Sequence, residues 1–189
     1  LIAGKLPNGT VADGTILVYP FTAMGEVLPL QQRPNILARV SDIVGPISSS
    51  AFTVSETALN NCSKSDLMGQ FIGAMYAASI ILLDPSKKMC SIQAIQNQLN
   101  VTTNTALLEY AAAINPISGE ISPDRKFTVN QAGLNTIIAV REKFGGFASL
   151  PPTFNFSLAT TPGTGNLIDY SIRDKVVASL NYELLNSVC

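Results

Sequence analysis

The chain has 189 residues, 47% of them hydrophobic and 13% charged, with a formal net charge of −1 from 12 basic and 13 acidic side chains. That length suits one domain with a real core or two small lobes, and the composition is too apolar for a disordered chain. Charge this thin and balanced offers no field to nucleic acid or an anionic membrane. The absence of histidine excludes Ser-His-Asp and Cys-His relays together with the commonest neutral metal ligand.

In chain order, residues 1–9 read as a frayed helix end and a Pro-Asn-Gly turn. Gly14–Pro20, GTILVYP, is a short continuous apolar run ending at proline, as expected of a strand buried on both faces in a parallel sheet. Phe21–Leu28 has one or two turns of helical spacing. Asn35–Val40 and Ala51–Val54 read as second and third short strands, separated by a Ser/Gly/Pro-rich loop over Ser41–Ser50. The fold class expected is therefore α/β, with short, mostly parallel strands in the N-terminal third and a helix-rich remainder.

From Ser63 the pattern is helical. Ser63–Asp84 is the longest apolar stretch, with Ser63 or Ser65 as N-cap, Asp66 in the first turn and Asp84-Pro85 as the stop. Its apolar residues leave little wet face, so it is expected to be buried nearly all round. A membrane span is the rival reading, but the unbroken apolar part runs only from Phe71 to Leu83, short of the roughly 20 residues a bilayer requires. An amphipathic helix over Lys87–Leu99 follows, stopped near Asn100. Next comes a helix over Thr102–Ile114, capped by Thr102 or Thr103 and ended by Asn115-Pro116. A polar loop, a helix over Thr128–Phe144 stopped by Gly145-Gly146, a Pro/Gly-rich connector over Leu150–Gly165 and a last helix over Ile168–Leu185 complete the chain.

Four Asn-x-Ser/Thr sequons, at Asn8, Asn61, Asn100 and Asn155, fall in or beside predicted loops and point to glycosylation in a secreted, extracellular protein. No charged segment precedes an apolar run at the N-terminus, so any secretion signal is expected to have been removed already or never to have been there. Cys62 and Cys90 flank the long helix. A disulfide between them would add about 3–4 kcal/mol by loop closure, leaving Cys189 for a partner outside this chain; three free thiols are the alternative. The cysteine spacings match no zinc pattern, and no Gly-rich phosphate loop occurs, so no metal or cofactor is expected. Among the acids, Glu26, Asp42, Glu56, Glu109 and Glu120 can supply a carboxylate pair of the glycosidase kind. A chain without tryptophan and with few aromatics suits sugar stacking poorly, so the expectation is a non-enzyme.

The order of elements resembles a known family. A run ending in Tyr19-Pro20-Phe21, a short helix, ILARVSD, then SSAFTVSETAL leading into the long helix is similar to the second half of a type 2 periplasmic binding protein. The branch it resembles binds alkylsulfonates, nitrate and thiamine precursors. The later segments NPISGE, FTVNQAG, VREKFGGF and LIDYSIR resemble secreted eukaryotic, fungal-type members. The resemblance implies an α/β lobe segment with the hinge crossover over residues 1–54 and the helix-rich part of the other lobe over 55–189, ending in a docking helix. It places Tyr19 and Phe21, for ring stacking, and Ser48, Ser49 and Ser50, for holding an anion, at an interlobe cleft. The strand, helix and strand that open such proteins do not precede Leu1, which implies a second chain or a missing segment, linked through Cys189. The expected function is reversible capture of a small anionic or heteroaromatic solute. The alternative is a secreted structural or interaction glycoprotein that works through its surface.

Overall fold

Capping residues set several of the helix starts. The computed structural model describes residues 5, 8–44, 51–122, 124, 126–164 and 166–180. Its helices are α1 (Phe21–Glu26), α2 (Val40–Val44), α3 (Glu56–Leu59), α4 (Cys62–Leu83), α5 (Lys88–Leu99), α6 (Thr103–Ala113), α7 (Gln131–Lys143), α8 (Phe156–Ala159) and α9 (Ser171–Ser179), with a 3-10 turn over Pro85–Lys87. Ser55, Thr102, Asn130 and Asn155 each accept a hydrogen bond from a backbone N–H of the first turn of α3, α6, α7 and α8, satisfying donors that a helix start otherwise leaves open.

The expected α/β architecture is not what forms. The described residues are 53% helical with essentially no strand, and the one β pairing among them is an isolated bridge between Lys5 and Val11. Gly14–Tyr19, Asn35–Arg39 and Ala51–Val54 are irregular, and Val40 opens a helix. A strand exists only when another lies beside it to take its N–H and C=O groups, and nothing in an apolar run specifies that neighbour. Here the side chains stay in solvent: Ile16 is 84% exposed, Leu37 93% and Phe52 66%. With no sheet among the described residues, the expectation of a periplasmic-binding-protein-like α/β fold is overturned.

Two compact units interleave along the sequence, residues 1–39 with 82–120 and residues 40–81 with 121–189. In the first, α5 and α6 form an antiparallel hairpin joined at Asn100, which takes the left-handed conformation (φ 51°) that ends α5. Ile92, Ala106 and Tyr110 are the buried centre, flanked by Leu82, Ile95, Val101, Leu107 and Ile114. The Tyr110 hydroxyl donates to the Leu82 carbonyl at 3.0 Å, which lets a phenol be buried without an orphaned donor. Helix α1 packs on α6 and buries Ala23 completely.

In the second unit, α4 presents Gly69 and Gly73 to Ile172 and Val176 of α9. A Cβ at residue 73 would stand 3.1 Å from Val176 Cγ1, so the missing side chain sets how closely the backbones approach. Tyr76 meets Phe127 edge to face at 6.5 Å, and the Tyr170 hydroxyl accepts the Val129 N–H at 2.9 Å. The Arg173 guanidinium lies 3.7 Å from the Tyr170 ring centre and donates to the Lys126 carbonyl, tying α9 to the entry of α7. Asp124 caps that entry loop. Burial pushes its carboxyl upward, but hydrogen bonds from the Ser122 and Thr128 side chains and from backbone N–H groups outweigh this and hold it below the usual range. Helix α4 departs from the all-round burial its composition suggests: only Gly73, Tyr76 and Ser79 are buried, and Leu67 and Phe71 are exposed.

Candidate functional site

The end of α7 is where the second unit gathers an aromatic surface. Gly145 adopts φ +70° and donates its N–H to the Glu142 carbonyl at 3.0 Å, while the Gly146 N–H reaches the Arg141 carbonyl at 2.7 Å. These paired bonds end the helix and turn the chain back, a reversal that the left-handed conformation at residue 145 makes possible and that glycine adopts without strain. The Arg141 side chain folds over the same turn, donating to the Gly146 carbonyl at 3.3 Å and placing its guanidinium 5.4 Å from the Phe147 ring centre.

Pro151 and Pro152 make a second turn, closed by the Phe154 N–H on the Pro151 carbonyl at 2.9 Å. Asn155 then caps α8, its Oδ1 accepting the Leu158 N–H at 3.1 Å. Three rings converge as a result. Phe147 and Phe156 lie 4.5 Å apart, tilted by 49°, and Phe154 meets Phe156 edge to face at 4.9 Å.

Two hollows open on this shelf. The first, about 310 Å³, is walled by Phe147, Phe154, Phe156, Leu150 and the two prolines, with Glu142 at its edge. The second, about 520 Å³, shares Glu142 and Phe156 with the first and continues along Gln131, Asn135, Ile138 and Ala139 of α7, facing Ser157, Thr160 and Thr161. Within it the Thr160 and Thr161 hydroxyls already donate to the Phe156 and Ser157 carbonyls, and the Gln131 amide donates to Asn135 Oδ1 at 3.1 Å. The Asn135 amide nitrogen, Gln131 Oε1, the Ser157 hydroxyl and the Glu142 carboxylate are the groups left to meet a ligand. One end of the groove is apolar and aromatic, the other offers neutral hydrogen-bonding groups, and among the described residues Glu142 is the one ionisable side chain lining either.

The residues expected from the sequence lie elsewhere. Tyr19 and Phe21 flank Pro20 at the start of α1 in the first unit, 37% and 52% exposed, and line neither hollow. Burial, and after it the Glu26 carboxylate, raises the Tyr19 hydroxyl above its ordinary value. Ser48, Ser49 and Ser50 lie outside the described residues. Of the five acids, Glu109 is shifted: burial, then the Glu120 charge, lifts its carboxyl. Asp42 belongs to α2 and Glu56 to α3, both in the second unit. No group of three or more acids or cysteines among the described residues can hold a metal ion.

The four sequon asparagines are all exposed. The expected Cys62–Cys90 disulfide does not form: Cys62 is free and exposed, whereas Cys90 is disulfide-bonded. A helix of 22 residues separates the two, about 33 Å end to end, while a disulfide needs its Cα atoms within about 7 Å. Cys189 lies outside the described residues.

The aromatic groove was readable in the sequence only as a helix stop, Gly145-Gly146, and a Pro/Gly-rich connector. The signal for it was three phenylalanines, at 147, 154 and 156, set around a double proline in a segment otherwise typical of a loop. No family model, curated protein or solved structure matches this chain.

Proposed function

We propose that this chain is a non-enzymatic, secreted binding protein that takes a small molecule with a flat, apolar or heteroaromatic portion onto the Phe147, Phe154 and Phe156 shelf and its neutral polar portion along α7. The observation that carries this reading is the convergence of the three rings beside a hydrogen-bonding wall in one groove. The groove lining disfavours an anionic ligand, since its ionisable group is a carboxylate. Secretion is supported by the four sequons and by the disulfide at Cys90. Binding is by burial, with no bond made or broken.

Nuclear magnetic resonance titration of the whole chain with indole tests this reading. A ligand of that size is expected to bind with a dissociation constant of about 1–10 mM, moving the signals of Phe147, Phe154, Phe156 and Asn135 together. Shifts scattered over the exposed apolar residues, or none at that concentration, would sink the proposal.

A second reading, an interaction protein that works through its surface, is favoured by a different observation. Among the described residues the buried hydrophobic ones are only Ala23, Tyr76, Ile92, Ala106, Tyr110 and Ile168, while many large apolar side chains stand in solvent. Light scattering across a dilution series separates the two, because surface-driven assembly depends on protein concentration and groove binding does not.

A further inference from the structure

All four sequon asparagines are exposed, so accessibility does not separate them. Their neighbours do. Asn8 lies between Pro7 and Gly9, Asn61 between Asn60 and Cys62, and Asn100 between Leu99 and Val101, whereas Asn155 lies between Phe154 and Phe156 and is completed as a sequon by Ser157. Phe154 remains 43% exposed although it is held edge-on against Phe156. Asn155 Oδ1 accepts the Leu158 N–H, and Nδ2 is the end of the carboxamide with no hydrogen-bond partner among the described residues. The Ser157 hydroxyl makes no hydrogen bond among the described residues, so the acceptor hydroxyl is accessible in the folded chain.

We propose that Asn155 carries an N-linked glycan and that its first sugar lies on the exposed Phe154 ring, covering apolar surface that the polypeptide leaves open. In the transfer, Asn155 Nδ2 forms a bond to C1 of an N-acetylglucosamine, Nδ2 loses a proton, and the lipid diphosphate that carried the sugar leaves with the bonding electron pair. The pyranose then offers its C–H face to the ring and keeps its hydroxyls in water, so the stacked sugar loses no hydrogen bonds. This inference does not rest on the small-molecule reading, and a sugar on Phe154 covers part of the shelf which that reading gives to the ligand.

The test uses the full chain secreted from a eukaryotic host, with peptide mass mapping after enzymatic deglycosylation in heavy-oxygen water. Most molecules are expected to carry the label at Asn155. The variant Ser157→Ala removes the sequon but keeps the Asn155 cap and both rings. Secreted Ser157→Ala should melt about 2 °C below the secreted parent, while the two should melt together when made in bacteria without glycosylation. In a Phe154→Ala background the difference should vanish. An unmodified Asn155 in the secreted chain overturns the proposal. So does a glycosylated Asn155 whose loss leaves the melting temperature unchanged, or a difference that survives Phe154→Ala.

Discussion

The α5–α6 hairpin and helix α4 make an instructive pair. The hairpin buries Ile92, Ala106 and Tyr110 to 1%, 0% and 4% exposure, while α4, the more continuously apolar of the two, leaves Leu67 at 66% and Phe71 at 49%. The difference lies in what stands opposite. A connection of three residues, Asn100–Thr102, returns α6 along α5 at once, so Ile92 of one helix packs with Ala106 and Tyr110 of the other. Helix α4 presents apolar residues in all directions and is fully buried only at Gly73, Tyr76 and Ser79 among the described residues. Apolarity makes a helix eligible for a core, and a register-matched partner puts it there.

The comparison breaks most visibly at Ile92. Replacing it with alanine should cost about 2–5 kcal/mol in chemical denaturation, because a fully buried side chain leaves a cavity in the hairpin. A loss under about 1 kcal/mol would mean the hairpin is not the anchor of its unit. Tyr110→Phe keeps the ring and deletes only the bond to the Leu82 carbonyl, so a loss of about 0.5–1.5 kcal/mol is expected in the same assay.

Glu109 sharpens the contrast from within α6. One of its oxygens, Oε2, is buried without a hydrogen-bond partner among the described residues, and its carboxyl titrates above the usual carboxylate range. A carboxyl raised in this way favours the folded state when protonated. Its contribution is complete below the unfolded-state value and is lost as pH rises through the folded-state value. Glu109→Gln mimics the neutral form at every pH, so it should raise the melting temperature at neutral pH by about 1–3 °C and flatten the profile between weakly acidic and neutral pH. No gain at neutral pH would show that the buried oxygen costs nothing. The smallest effect belongs to α4: Leu67→Ala should change stability by no more than about 0.5 kcal/mol, and a core-sized loss there would show that its exposed face is covered in solution.

What could be read in advance was local. The cap read as Thr102 or Thr103, which proves to be Thr102, the stop at Asn100, the end of α6 before Asn115-Pro116 and the Gly145-Gly146 terminus of α7 each depend on residues within one turn of where they act. The expected strands failed because a strand is defined by a neighbour that may lie anywhere in the chain. Gly14–Pro20 is an apolar run with nothing in its sequence to name that neighbour. The candidate groove escaped for a related reason. Phe147 meets Phe156 only because two turns, one at Gly145-Gly146 and one at Pro151-Pro152, bend the connector back on itself, and their combined geometry is not written in either turn alone. Tyr19 and Phe21 have the chemistry of a binding site but line neither of the two hollows.

Thr102 carries a consequence of another kind, one of double use. Its hydroxyl is the third position of the sequon that begins at Asn100, and the same oxygen accepts the Thr105 N–H as the cap of α6. Winding of α6 therefore draws the last position of that sequon into a helix start, so a single oxygen is a motif position in the extended chain and a structural acceptor in the folded one.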